Sequence, residues 1–160
     1  MTIRIEPAVA ADVPVILGLI RELAEFERLL DTVTATPEQL REGLFGPRPS
    51  AEVILCRLGE EVAGFALYFH NFSTFLARPG LYLEDLYVRQ KFRGQGCGEE
   101  LLRRLAQIAV ERNCGRLEWS VLDWNQRAIQ FYKDLGAVPM DEWTIYRVAG
   151  DSLTKLAERR

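Results

Sequence analysis

Residues 91–102 read KFRGQGCGEELL, with glycines at 94, 96 and 98 directly ahead of a helical pattern. Glycine lets a backbone turn left-handed or approach a ligand closely. Amides exposed at a helix start, aided by the helix dipole, favour an anion. Arg93 adds a permanent positive charge at the head of the loop. Phosphate binding is one chemistry open to this stretch. A tight strand–helix turn with no ligand uses the same residues equally well. Two better-known phosphate loops are excluded: G-x-x-x-x-G-K-[ST] is absent, and the third glycine of G-x-G-x-x-G would fall on Glu99.

Other chemistry is limited by what the chain lacks. The single histidine, His70, leaves a Ser–His–Asp or Cys–His triad with one candidate base. A zinc site lacks ligands at the usual spacing, so no metal is expected. Cys56, Cys97 and Cys114 are odd in number and widely spaced, which reads as free thiols in a reducing compartment. The formal net charge of −3 argues against a broad nucleic-acid surface. No apolar run approaches the ~20 residues of a membrane span. The opening MTIRIEPAVAADV carries Glu6 and Asp12 and no signal-like apolar core. These features predict a cytoplasmic protein that contacts neither nucleic acid nor membrane.

The glycine loop needs a strand before it and a helix after it. LYLEDLYV (81–88) supplies the strand pattern, and Leu101, Leu102, Leu105, Ile108 and Ala109 mark a helix over 98–112. RLEWSVLD (116–123) reads as a strand, which makes a βαβ unit with a parallel crossover. Upstream, 3–8 reads as a strand and 12–29 as a helix capped by Asp12. Thr36, Pro37 and Gln39 form a capping box that opens a second helix. Residues 51–58 and 62–69 read as a hairpin, followed by a loop over 71–80. Downstream, 125–136 reads as a helix with Asn125 as cap and Gly136 as stop, 142–148 as a last strand and 151–160 as a short helix. With 160 residues, 48% of them hydrophobic, and no dividing linker, a single α/β domain over 1–160 is expected.

Three motifs in this order carry a resemblance. Arg93, Gly94, Gln95, Gly96, Cys97 and Gly98 fit R/Q-x-x-G-x-G/A, YLEDLYV precedes them, and WNQRAIQFYKDLGA (124–137) follows. Together they resemble the GNAT N-acetyltransferase superfamily, over nearly the whole chain. The opening IRIEPAVAADVPVILGLIRELAEFE resembles the branch of diamine (spermidine/spermine) and thialysine acetyltransferases. The resemblance implies a mixed central sheet of about six to seven strands, flanked by helices and splayed at strand 81–88. It implies acetyl-CoA as cosubstrate, without a metal.

Acetyl transfer to an amine needs a neutral amine, although a free alkyl amine has a pKa of about 10. A proton acceptor, oxyanion donors and a proton for the departing thiolate complete the requirement. The resemblance implies that the loop from Arg93 through Gly94, Gln95, Gly96, Cys97 and Gly98 to Glu99 binds the coenzyme pyrophosphate. It places Leu86, Tyr87 and Val88 beside the acetyl group and pantetheine arm, near a bulge that opens the sheet. Asn125, with Arg127 and Ala128 after it, matches the coenzyme-contacting stretch of the next helix. Tyr132 matches the tyrosine that protonates the thiolate and contacts the coenzyme. Glu84 matches the glutamate on the amine side, taking a proton through water, with Asp85 as its neighbour on the opposite face of a regular strand. Cys97 reads as a small residue beside a phosphate, not as a nucleophile.

For the acceptor, Phe26 and Glu27 match an aromatic–acid pair at the end of the first helix, and Asp141 or Glu142 a second acid. Ser73 and Phe75 stand where the polyamine subgroup resembles aspartate and tryptophan, and Arg78 adds positive charge. A small primary amine or an amino-acid side-chain amine is therefore expected ahead of a true polyamine. Two other readings stay open: a protein lysine or N-terminal acetyltransferase, and a coenzyme-binding module without turnover. The resembled branch implies a homodimer.

Overall fold

Five strands form one mixed sheet in the computed structural model, which describes residues 2–160. They are β1 (Ile3–Pro7), β2 (Glu52–Leu58), β3 (Glu61–Ser73), β4 (Arg78–Val88) and β5 (Leu117–Trp119), and they lie across the sheet in chain order. The helices are α1 (Val13–Phe26), α2 (Pro37–Phe45), α3 (Cys97–Glu111), α4 (Gln126–Asp134) and α5 (Gly150–Ala157). The chain divides into two compact units. The sheet and α1–α3 belong to the larger, which ends at Leu122; α4 and α5 belong to the smaller, Asp123–Arg160.

β1 to β4 pair antiparallel, and β5 joins β4 in parallel, so the expected βαβ crossover through α3 is present. The strand count is a correction: five among the described residues, against the six to seven that the resemblance implied. Residues 142–148 alternate like a strand but join no ladder. Alternation only sorts side chains to two faces, and a strand also needs hydrogen-bond partners. The strand expected over 116–123 shortens to Leu117–Trp119. The loop expected over 71–80 is mostly hairpin: Asn71 pairs with Gly80 and Phe72 with Pro79, and Leu76 N–H donates to Ser73 Oγ (3.2 Å) at the turn.

Cross-strand partners share a face of the sheet, so the register sorts the core. Val53, Leu55, Phe65 and Tyr87 lie on one face and pack with Ile16 and Leu19 of α1 and Leu44 of α2. The other face bears Ile54, Cys56, Ala66 and Leu83, on the side where Cys97, Leu101, Leu105 and Ile108 of α3 are buried. Each fully buried leucine or isoleucine stabilises this arrangement by about 1.5–3 kcal/mol relative to exposure.

Local signals set the helix ends. Thr36 N–H donates to Gln39 Oε1 (3.0 Å) and Gln39 N–H donates to Thr36 Oγ1 (3.2 Å), the reciprocal box read from the sequence. Asp12 acts one turn earlier than expected: its Oδ2 accepts from Val9 N–H (2.8 Å), and it makes no side-chain cap bond to α1. In the smaller unit, Ala128 N–H donates to Asn125 Oδ1 (3.3 Å) at the start of α4, and Gly136 takes a left-handed φ of 94° just past its end. Among the described residues no helix is long and apolar enough to cross a membrane.

Candidate active site

The glycine loop connects β4 to α3. Gly94 and Gly96 have φ of 80° and 93°, a region where a side chain is strained, and Gly96 is the residue that caps α3. The turn leaves the amides of Gly94, Gln95, Gly96, Cys97, Gly98 and Glu99 without a protein acceptor among the described residues; the first helical bond is from Glu100 N–H to Gly96 O (3.0 Å). Six successive donors at the positive end of a 15-residue helix are an arrangement that can receive an anion. Cys97 is buried, with Cys56 beside it. Burial first, then the hydrogen bond with Cys97, pushes the Cys56 thiol up to about 12. Neither sulfur has the exposed, electropositive setting of a nucleophile.

Arg93 turns back from the loop towards β4. Its Nε donates to Val88 O (3.1 Å), and its guanidinium lies 5.0 Å from the centre of the Phe26 ring and 5.8 Å from that of Tyr87. Phe26 is the last residue of α1, so the arginine joins the loop to the end of that helix.

β4 changes character at Glu84. Leu83 pairs with Tyr68 and Asp85 with Leu67, which leaves Glu84 as the extra residue of a bulge. The parallel ladder with β5 ends one residue earlier, at Leu83 opposite Trp119. From Glu84 to Val88 the β5 side of β4 therefore carries no ladder. Bulges commonly re-aim side chains and end pairing beside active sites. The resemblance implied such an opening; its position follows from the register.

The bulge also relaxes the rule that adjacent residues oppose each other across the sheet. Asp85 falls on the α1 face, in register with Leu67, while Glu84 is exposed. The Asp85 carboxyl is pushed up to about 6, by burial first and then by the charges of Glu84 and Glu27. Burial raises Glu27 as well, at the C-terminal cap of α1. A carboxylate that titrates near neutrality beside two others can take a proton and can hold a cation.

The larger unit thus brings together Phe26, Glu27, Glu84, Asp85, Leu86, Tyr87, Val88 and the loop Arg93–Glu99. The other expected residues lie in the smaller unit. Asn125 caps α4, Arg127 and Ala128 occupy its first turn, and Tyr132 sits further along it with its ring 5.7 Å from that of Phe131. Glu142 is exposed in the irregular segment that follows. The sequence reading missed Glu22, which binds Arg89 and Tyr87. Its partners are more than 60 residues away, so spacing offered no signal.

Residues 19–137 match the Acetyltransferase (GNAT) family. The chain is 38% identical to thialysine N-epsilon-acetyltransferase from Bos taurus, covering 97% of each chain. It is 34% identical to L-ornithine N5-acetyltransferase from Arabidopsis thaliana, covering 94% of this chain and 86% of that one. An integron cassette protein from the V. cholerae mobile metagenome superposes with a TM-score of 0.83 at 31% identity, over 99% of both chains. An aminoglycoside acetyltransferase from an uncultured soil metagenomic sample shares the fold alone, with a TM-score of 0.78 at 17% identity over 93% of this chain and 97% of that one.

Proposed function

This chain belongs to the Acetyltransferase (GNAT) family and is an N-acetyltransferase, and from that premise we propose that it moves an acetyl group from acetyl-CoA to a primary amine of a small diamine, polyamine or lysine-like amino acid. The observation that carries the reading is the raised carboxyl of Asp85 on the strand that leads into a loop of free amides.

The donor set fits a coenzyme diphosphate. The amides of Gly94–Glu99 supply hydrogen bonds without a further protein charge, and Arg93 supplies the cation. Leu86, Tyr87 and Val88 lie on the unladdered stretch of β4, where backbone amides remain for the pantetheine arm and the acetyl carbonyl. Asn125, Arg127 and Ala128 hold the coenzyme from α4. When bound, acetyl-CoA supplies the acetyl thioester.

The amine attacks directly in a ternary complex, forming an N–C bond as the C–S bond breaks. Asp85 accepts the amine proton, because a base titrating near neutrality is matched to that task. Glu84, at the bulge, passes it to water. The Tyr132 phenol donates its proton to the departing thiolate and recovers one from solvent. Phe26 and Glu27 receive the acceptor's apolar and cationic parts, with Glu142 as a further acid. Ser73, Phe75 and Arg78 on the β3–β4 hairpin disfavour a long polycation, so a short diamine or amino-acid side chain ranks first. Relatives named for thialysine and ornithine support the same order. The enzyme works in the cytoplasm as a homodimer.

The test is thiol release from acetyl-CoA with diamines, polyamines, lysine analogues and short peptides. Turnover with small amines is expected. Coenzyme binding with no thiol release would identify a non-catalytic module, and release with peptides alone would identify a protein acetyltransferase.

A further inference from the structure

Glu22 lies mid-way along the second half of α1, one turn before Phe26. Its carboxylate receives Arg89 through Nε (3.1 Å to Oε2) and through NH2 (3.0 Å), and it accepts from the Tyr87 hydroxyl (3.4 Å). Arg89 is fixed by two further bonds, NH1 to Val62 O (3.1 Å) and its own amide to Ala63 O (2.8 Å). Tyr87 and Phe26 are the two rings against which the Arg93 guanidinium rests, and Val88, between Tyr87 and Arg89, accepts the Arg93 Nε–H. One carboxylate therefore holds both residues that flank Val88, and its helix carries the second ring.

We propose that Glu22 is a positioning residue for the coenzyme loop: by holding Arg89 and Tyr87, it fixes the end of β4 and the aromatic seat of Arg93. The proposal rests on the reading of this loop as an acetyl-CoA site. It follows from the geometry at Arg93. Nε is committed to Val88 O, so the two terminal nitrogens point wherever the seat directs them. A guanidinium binds a diphosphate well only when its planar fork is already oriented. Loss of the Glu22 carboxylate leaves the Arg89 charge half-buried without its acid and frees the Tyr87 ring to turn. Arg93 then samples other orientations, and the cost falls on coenzyme binding. The carboxyls of Glu27, Glu84 and Asp85 are untouched.

The experiment compares Glu22→Gln and Glu22→Ala with the parent chain by titration with CoA and by steady-state kinetics in both substrates. Glu22→Gln keeps an acceptor for Tyr87, and Glu22→Ala keeps none. The expected result is a rise in the CoA Kd and the acetyl-CoA KM of about threefold for Glu22→Gln and about tenfold or more for Glu22→Ala, with kcat and the amine KM within about twofold. A purely structural role would lower kcat and both affinities in parallel with the folded fraction, followed by circular dichroism, and that outcome overturns the proposal. Unchanged CoA affinity in a folded Glu22→Ala chain also overturns it. Failure of the parent itself to bind CoA would instead remove the acetyl-CoA reading, so the two failures are told apart by the parent titration.

Discussion

Glu27, at the end of α1, and Asp85, on the neighbouring face of β4, are close enough that the charge of one opposes ionisation of the other. Two carboxylates drawn from positions 58 residues apart are thus brought within electrostatic reach of each other at the strand that leads into the glycine loop. Such an arrangement is costly for the fold at neutral pH and useful to an enzyme that must remove a proton or hold a cation.

The cost is measurable in stability. Asp85 titrates from 3.8 to about 6 on folding. A folded pKa above the unfolded one means that the native state holds the proton longer. Well below pH 3.8 both states are protonated and Asp85 costs nothing; between pH 3.8 and about 6 the unfolded chain ionises while the native state keeps its proton, so the cost grows, and above about 6 it is constant. Asp85→Asn should therefore raise thermal stability at pH 7–8, on the order of 1–3 kcal/mol, with the gain shrinking below pH about 6 and vanishing below about pH 3. A pH-independent difference in Tm would show that burial of the charge is not the cause.

Asp85 and Glu84 should separate in a pH–rate profile. The parent kcat/KM should rise through pH about 6 as Asp85 ionises. Asp85→Asn should remove that limb and lower the plateau by about 10²–10³. Glu84→Gln should keep the limb but move it to lower pH, because the Glu84 charge helps hold the Asp85 carboxyl up, and should lower the plateau. A Glu84→Gln profile that overlays the parent would take Glu84 out of the proton path.

Tyr132→Phe keeps the ring and removes only the proton donor. Turnover should fall by about 10–10² while CoA affinity stays within about twofold. Equal kcat in the two proteins, measured by thiol release at saturating substrates, would end the assignment.

Gly96 and Gly18 give a paired test of backbone conformation. A Cβ on Gly96 would meet only Ile3 Cδ1, at 3.6 Å, so space is available and the positive φ is the obstacle. Gly96→Ala should cost about 1–2 kcal/mol and weaken CoA binding about tenfold or more as the loop amides turn away. Gly18 lies inside α1 with nothing within 4 Å of its Cβ position. Gly18→Ala should stabilise by about 0.5–1 kcal/mol with unchanged kinetics, because it restricts the unfolded chain and adds helix propensity. Chemical denaturation and CoA titration read both.

What was legible in the sequence was local. The reciprocal Thr36–Gln39 box, the Asn125 cap and the left-handed Gly136 stop depend on residues within one turn of each other, and the structure forms all three. The glycine loop was legible because glycine takes the φ at 94 and 96 without strain, while the expectation of a phosphate loop over a bare turn came from the motifs around it. The segment over 142–148 shows the opposite case: its alternation is real, but no ladder accompanies it, since a strand depends on an edge elsewhere in the chain.

The amino-acid sequence by itself determined the elements, the order of the motifs and the residue types available for acid, cation and amide chemistry. Only the tertiary structure decided that Glu84 is the bulged residue, that burial and neighbouring charge push up the Asp85 carboxyl, and that Glu22 ties α1 to Arg89 and Tyr87. Register, burial and charge proximity are properties of segments brought together from across the chain, and no window of neighbouring residues contains them.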